Sequence, residues 1–183
     1  MNKKGFIGLG VMGYPMAGHL ASNNFDVCVF NRTQEKALKW KNEFIGSSCE
    51  SPSEIASQSD VICGNNGILE SVNPGTIIID HSTTSATLAK EINQILKEKE
   101  CHFLDAPISG GQAGAEAGKL SVMVGGCKES FEAVKIILDV YSKFSKHMGN
   151  SGSGQLTKMV NQICIGGLLQ ALAEGMNFSE KAG

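Results

Sequence analysis

Along the 183-residue chain, short apolar runs alternate with segments whose apolar positions recur every three or four residues. The runs "KGFIGLG", "DVCVF", "DVIC", "GTIIIDHS", "CHFLDAP" and "KLSVMVGG" read as strands. The continuous apolar centre of "GTIIIDHS" suits a sheet covered on both faces. Between these runs, "MGYPMAGHLASNN" reads as a helix with Pro15 in its first turn, where proline is tolerated. "TQEKALKWKNEF" reads as an amphipathic helix that Thr33 caps, and "SPSEIASQ" opens with a capping-box pattern from Ser51 to Glu54. In "TTSATLAKEINQILKEKE" the residues Leu88, Ile92, Ile95 and Leu96 recur at helical spacing, and "KESFEAVKIILDVY" is a further helix. From Gln155 onward a long helix carries Leu156, Met159, Val160, Ile163, Cys164, Leu168 and Leu172 as a broad apolar stripe. The alternation predicts an α/β fold, a doubly wound and mostly parallel sheet with helices on both faces, followed by a long C-terminal helix. "HMGNSGSG", residues 147–154, reads as a turn-rich junction between a body of residues 1–150 and a helical segment of residues 151–183.

Composition narrows the class without naming a function. An apolar fraction of 42% and a charged fraction of 19% are ordinary for a globular chain. The formal charge of −2 gives no argument for nucleic acid or an anionic membrane as partner. Six cysteines and four histidines are scattered, with no CxxC pair, so no metal site is expected. Several cysteines sit inside apolar runs, which reads as buried free thiols and a reducing compartment. "MNKKGFIGLG" is too short and too glycine-rich in its apolar part for a signal peptide, and no run approaches a membrane span. The expected location is cytoplasmic.

Chemistry begins at Gly8-Leu9-Gly10-Val11-Met12-Gly13. This GxGxxG directly follows a strand and opens a helix, the context that marks a dinucleotide site of Rossmann type. Gly8 allows the tight turn, Gly10 admits a pyrophosphate, and Gly13 lets the helix pack close to the strand. The plainer alternative is a structural glycine turn. The end of the second strand selects the cofactor. An NAD site usually has an acidic residue there, about 20 residues past the glycines. Here Asn31, Arg32 and Thr33 follow instead. Arginine pairs with a 2′-phosphate that a carboxylate would repel, so NADP is favoured, with NAD as the alternative. Otherwise Arg32 is a solvated surface charge.

"DAPISGGQAGAEAGKL" places four glycines between two strands, where successive amides with the Ser109 hydroxyl can form an anion-binding nest for a carboxylate. "GSGQLTKMVNQ" sets Lys158 and Asn161 three residues apart on one helical face. A lysine whose pKa burial lowers can serve as acid or base. Without further context, a solvated polar stripe explains it better.

In this order, "FIGLGVMGYPMAGHL", "DAPISGGQAGAEAGKL" and "GSGQLTKMVNQ" closely resemble the β-hydroxyacid dehydrogenase family, from about Lys4 to the end. "NRT" is more similar to its NADP-using semialdehyde reductases than to its NAD-using 3-hydroxyisobutyrate enzymes. The resemblance implies a Rossmann-type fold with a pyrophosphate loop at Gly8–Gly13 and an adenosine-ribose end at Asn31, Arg32 and Thr33. Ser82 and Thr83 match the pair beside the nicotinamide. Ser109, Gly110 and Gly111 match the substrate loop. Lys158 matches the catalytic lysine, which also meets substrate, and Asn161 the asparagine that helps hold it.

Two departures stand out. Family members usually continue into an all-helical second domain, which is absent here, so the stripe of the last helix lacks its usual cover. "SDVICGNNGILESVNPGT" is also shorter than in relatives, which carry a longer loop and a helix between "DVI" and "NGIL". The resulting expectation is an oxidoreductase moving a hydride between NADP(H) and a small 3-hydroxy acid or its semialdehyde. Its partners would be a small carboxylate-bearing aldehyde or hydroxy acid and a second copy of the chain, paired through the C-terminal helix. The alternative is a truncated NADP-binding module with weak or no catalysis.

Overall fold

A computed structural model describes residues 3–59, the backbone of 61–63, and 68–183. Asp60, the side chain of Cys63 and the shortened link at Gly64 and Asn65 lie outside the described residues. Six parallel strands form the body of one sheet: β1 (Lys4–Ile7), β2 (Val27–Phe30), β3 (Ser47–Ser48), β4 (Val61–Cys63), β5 (Ile77–Asp80) and β6 (His102–Asp105). Their spatial order is β3-β2-β1-β4-β5-β6. The chain winds outward from β1 to β3 and then returns to β4 on the other side. The crevice over β1 and β4 is therefore the switch point where doubly wound sheets bind ligands.

Alternate side chains of β1, β2, β5 and β6 enter two cores. Phe6, Ile79 and Leu104 face the one shared with α1 (Gly13–Ser22) and α6 (Lys128–Tyr141). Ile7, Ile78 and Phe103 face the one shared with α3 (Pro52–Gln58) and α4 (Ala86–Glu98). Burial on both faces explains the continuous apolar runs. On α4 the buried positions are Ala89 and Leu96, while Leu88 and Ile95 are exposed, so the inward stripe is narrower than the spacing suggested. α2 (Gln34–Glu43) buries Trp40, but the Thr33 side chain makes no cap hydrogen bond. Ser51 does cap α3, accepting from the Glu54 amide at 3.1 Å. Glu54 reaches back to the Glu50 amide at 2.8 Å.

Beyond β6 the sheet turns antiparallel. β7 (Ile108–Ser109) and β6 both pair with β8 (Leu120–Gly126), and one register runs through both pairings across Ala106 and Pro107. β9 (Ser142–Gly149) lies parallel to β8. This strand was expected to be partly turn. Its residues alternate between exposed and half-buried and carry little apolar signal, and pairing with β8 overrides that composition. The expected loop after Ser109 contains a short helix, α5 (Gly111–Glu116).

The cysteines also depart from expectation. Cys28 on β2 and Cys49 just past β3 are joined as a disulfide, because adjacent parallel strands bring their Cα atoms to 6.6 Å. Cys101 is a buried free thiol, while Cys127 and Cys164 are free and exposed. The last element, α7 (Ser153–Ala182), buries only Gly154, Gln155 and Lys158. Its stripe residues Leu156, Val160, Ile163, Leu168 and Leu172 are exposed.

Candidate functional site

The glycine loop between β1 and α1 has three positions with three different constraints. Gly8 sits at φ +98, where other residues are strained. A Cβ on Gly13 would overlap the Gly8 carbonyl oxygen. Around Gly10 nothing lies within 4 Å of the Cβ position, leaving open space for a ligand. Leu9 is buried, and Val11 is exposed at the rim. Met12 is the N-cap of α1 and supplies no side-chain acceptor, so the helix start is left for an anion. The arrangement fits a pyrophosphate.

Asn31 ties this loop to the end of β2. Its Oδ1 accepts from the Leu9 amide at 2.9 Å, and its Nδ2 donates to the Thr33 carbonyl at 2.9 Å. Arg32, Thr33 and Lys36 line a cavity of about 550 Å³ that meets the glycine loop at Ile7 and Gly8. None of the described residues lining it is acidic. Sequence reasoning passed over Lys36, whose signal was its place one turn into α2.

A larger cavity of about 730 Å³ opens on the other side of the loop. Gly8, Met12 and Gly13 form one wall, and Ser82 and Thr83, just past β5, form another. Ser109, Gly110 and Gly111 arrive from β7 and the start of α5, and Lys158 from α7. Three motifs far apart in sequence thus share one cavity. Gly110 and Gly111 both have positive φ, at 137° and 61°, which reserves these positions for glycine. His19 of α1 holds the far end of this segment, its Nε2–H donating to the Ala115 and Glu116 carbonyls at 3.0 Å each. Asn161 stands apart. It is half-buried and lines a neighbouring cavity of about 400 Å³ that shares only Ser109 with the main one, while Gln162 lines the main cavity itself.

Lys158 is only 8% exposed, and burial lowers its pKa below the ordinary 10.5. His81 also lines the cavity. Its Nδ1–H donates to the Ala106 carbonyl at 2.7 Å, which leaves Nε2 to accept from the Tyr141 hydroxyl at 3.0 Å. Burial holds its pKa below 6.5 against the opposing Ala106 bond and the Asp80 charge, so the ring is neutral. Sequence reasoning did not single out His81, Asp105 or Gln155. The signals available were polar residues closing the apolar runs "IIID" and "FLD", and one opening α7. Among the described residues no His, Cys, Asp and Glu are grouped to hold a metal ion, and no helix is long and apolar enough to cross a membrane.

Comparison with known proteins agrees with this fold. Residues 3–166 match the family model described as the NAD binding domain of 6-phosphogluconate dehydrogenase. An uncharacterized oxidoreductase of Shewanella frigidimarina is 46% identical over 197 residues, covering 100% of this chain and 68% of that protein. That alignment is longer than the chain, so the relative carries additional residues within the matched span. The 2-(hydroxymethyl)glutarate dehydrogenase of Eubacterium barkeri is 33% identical, covering 99% of this chain and 64% of its own length. A structure of Mycobacterium tuberculosis 3-hydroxyisobutyrate dehydrogenase with L-serine superposes with a TM-score of 0.94 at 29% identity, covering 100% of this chain and 66% of that one. The chain spans about two thirds of the length of these relatives.

Proposed function

The chain belongs to the β-hydroxyacid dehydrogenase family, NAD(P)-dependent oxidoreductases acting on CH–OH donors, and from that premise we propose its own reaction. It transfers a hydride between NADP(H) and a small 3-hydroxy acid or its semialdehyde. The observation that carries this reading is the buried Lys158 in one cavity with the glycine loop, Ser82–Thr83 and Ser109–Gly111.

A bound nicotinamide supplies the hydride, and the chain supplies orientation and a proton. In the reducing direction Lys158 gives a proton to the carbonyl oxygen as negative charge develops there. In the oxidising direction it takes the proton back. A pKa lowered by burial brings the lysine closer to the pH at which it can do both. Ser109 and the backbone of Gly110 and Gly111 hold the substrate carboxylate. Asn161 approaches from the neighbouring cavity beside Ser109, and Gln162 adds a second amide in the main one. Ser82 and Thr83 border the nicotinamide. Preference for NADP over NAD is supported by Arg32 and Lys36 in a cavity where none of the described lining residues is acidic. A reducing compartment, the cytoplasm, is supported by the free thiols of Cys101, Cys127 and Cys164, while the Cys28–Cys49 disulfide counts the other way. Two copies pair through the apolar residues of α7.

The test is a fluorescence titration with NADPH followed by assay of NADPH oxidation with succinic semialdehyde and glyoxylate. Binding with turnover, lost in Lys158→Ala while NADPH still binds, supports the proposal. Turnover retained in that variant removes Lys158 from its role. Binding without turnover in the parent chain supports the second reading, a dinucleotide-binding module, which the exposed apolar face of α7 beside the cavity favours.

A further inference from the structure

α7 carries no cap of its own. Its N-cap residue is Gly152, at φ 90°, and no side-chain cap hydrogen bond comes from it. The acceptor comes from another element. Asp105, fully buried at the end of β6, accepts from the Gly152 amide through Oδ1 at 2.7 Å and from the Gln155 amide through Oδ2 at 2.9 Å. A carboxylate thus occupies the start of a 30-residue helix, where unpaired amides and the positive end of the dipole favour it. Burial raises the Asp105 pKa, and the backbone hydrogen bonds from Gly152, Gln155, Asp105 itself and Gly154 oppose that rise.

The second contact runs the other way. Gln155 is fully buried, and both ends of its amide are used by one segment. Its Oε1 accepts from the Thr84 amide at 2.9 Å, and its Nε2 donates to the Ser82 carbonyl at 2.8 Å. That segment contains Ser82 and Thr83 of the main cavity. Lys158 follows Gln155 by three residues, so it rises from the same face of the next turn. Close approach depends on small residues: a Cβ on Gly125 would lie 2.5 Å from Asp105 Oδ1, and one on Gly154 would overlap the Asp105 carbonyl oxygen.

We propose that Asp105 and Gln155 are positioning residues that clamp the first turn of α7 to residues 82–84, and so fix Lys158 against the nicotinamide end of the cavity. The proposal rests on the reading of Lys158 as proton donor. Asp105 sets the position of the helix start, and Gln155 sets its rotation toward the Ser82–Thr84 segment. Whatever moves that segment moves Lys158 with it. A displacement of about 1 Å of a reacting group costs about 100-fold in rate, so the clamp acts on kcat more than on binding.

Gln155→Met replaces the amide by an apolar chain of similar length. Three measurements decide the matter: pH-dependent acylation of Lys158 followed by mass spectrometry, NADPH titration, and steady-state NADPH oxidation. The expected result is an NADPH Kd within about twofold of the parent, kcat lower by at least about tenfold, and KM within about threefold. The pKa of Lys158 should move up toward the ordinary 10.5 as its burial loosens. Asp105→Asn keeps one acceptor, is expected to give a smaller change in the same direction, and serves if Gln155→Met does not fold. Parental kcat and parental Lys158 pKa in either folded variant overturn the clamp. So does a loss of thermal stability and NADPH binding with the Lys158 pKa unmoved, which marks a merely structural role. Turnover surviving in Lys158→Ala refutes the proton-donor reading alone, because the acylation measurement needs no turnover and still decides the clamp.

Discussion

The side chain of Asn31 accepts the amide hydrogen of Leu9 at 2.9 Å, joining the end of the second strand to the middle of the glycine loop. Removing it in Asn31→Ala leaves the Leu9 amide without that partner, a cost of about 1–3 kcal/mol. NADPH affinity should fall about tenfold, read by fluorescence titration, since 1.4 kcal/mol corresponds to that factor. Asn31→Asp keeps the acceptor but adds a charge beside Arg32. It should weaken NADPH more than NADH, and the ratio of the two Kd values checks this.

Arg32 and Lys36 share the cavity beyond that bond. If they meet the 2′-phosphate, each alanine variant should weaken NADPH binding by about 10- to 100-fold, as for a charge-assisted hydrogen bond, and leave NADH within about twofold. An equal loss for both cofactors would count against the assignment.

Lys158 has a further signature in stability. Its pKa in the folded chain lies below the unfolded value of 10.5. The folded state therefore bears the cost of burying an ammonium at neutral pH, and that cost disappears as pH rises from the folded pKa toward 10.5. Lys158→Met should be more stable than the parent at pH 7, with the advantage shrinking toward pH 10.5. Thermal melts of both proteins across that range check the sign.

His81 sets the acid side. Its folded pKa lies below 6.5, so below that pH the unfolded chain takes up a proton that the folded chain refuses. Stability should fall as pH drops from 6.5 toward the folded pKa. His81→Gln should flatten that slope. Asp105, with its pKa raised by burial, acts with the opposite sign, and the difference between parent and His81→Gln, in which Asp105 is unchanged, isolates the histidine.

Leu168 and Leu172 are 60% and 54% exposed on α7, and patches of this kind mark association surfaces. The chain should sediment as a dimer, and Leu168→Glu with Leu172→Glu should shift it to monomer. A monodisperse parent monomer would refute pairing through this helix.

Much of this was legible because it depends on local rules. Alternation of apolar runs and helical periodicity placed β1, β2, β4, β5, β6 and β8 with the main helices, but not the two-residue β3, which carries no apolar signal. The GxGxxG context placed the loop, and Gly8, Gly10 and Gly13 each meet the constraint assigned to them. Other features depend on partners distant in sequence. β9 is strand because β8 lies beside it, with half its residues exposed. The Cys28–Cys49 pairing follows from which strands are neighbours, not from spacing. Asp105 has no nearby helix to suggest a cap, since the one it serves begins 47 residues later at Gly152. Asn161 was assigned with Lys158 on helical spacing, yet the rotation of about 100° between neighbouring helical residues puts Gln162 into the main cavity and Asn161 into its neighbour.

The tight fit of Gly125 and Gly154 around Asp105 changes how a substitution map of this chain should be read. Both positions would tolerate almost nothing, as a ligand-binding glycine does, although neither lines the cavity. Intolerance there would report the contour of the backbone under a helix. Gly10, whose side-chain direction is empty, should accept alanine in the fold and fail only when a cofactor is offered. Screening for folding and for cofactor retention separately would sort the glycines of this protein into those that build the vessel and those that leave room for its contents.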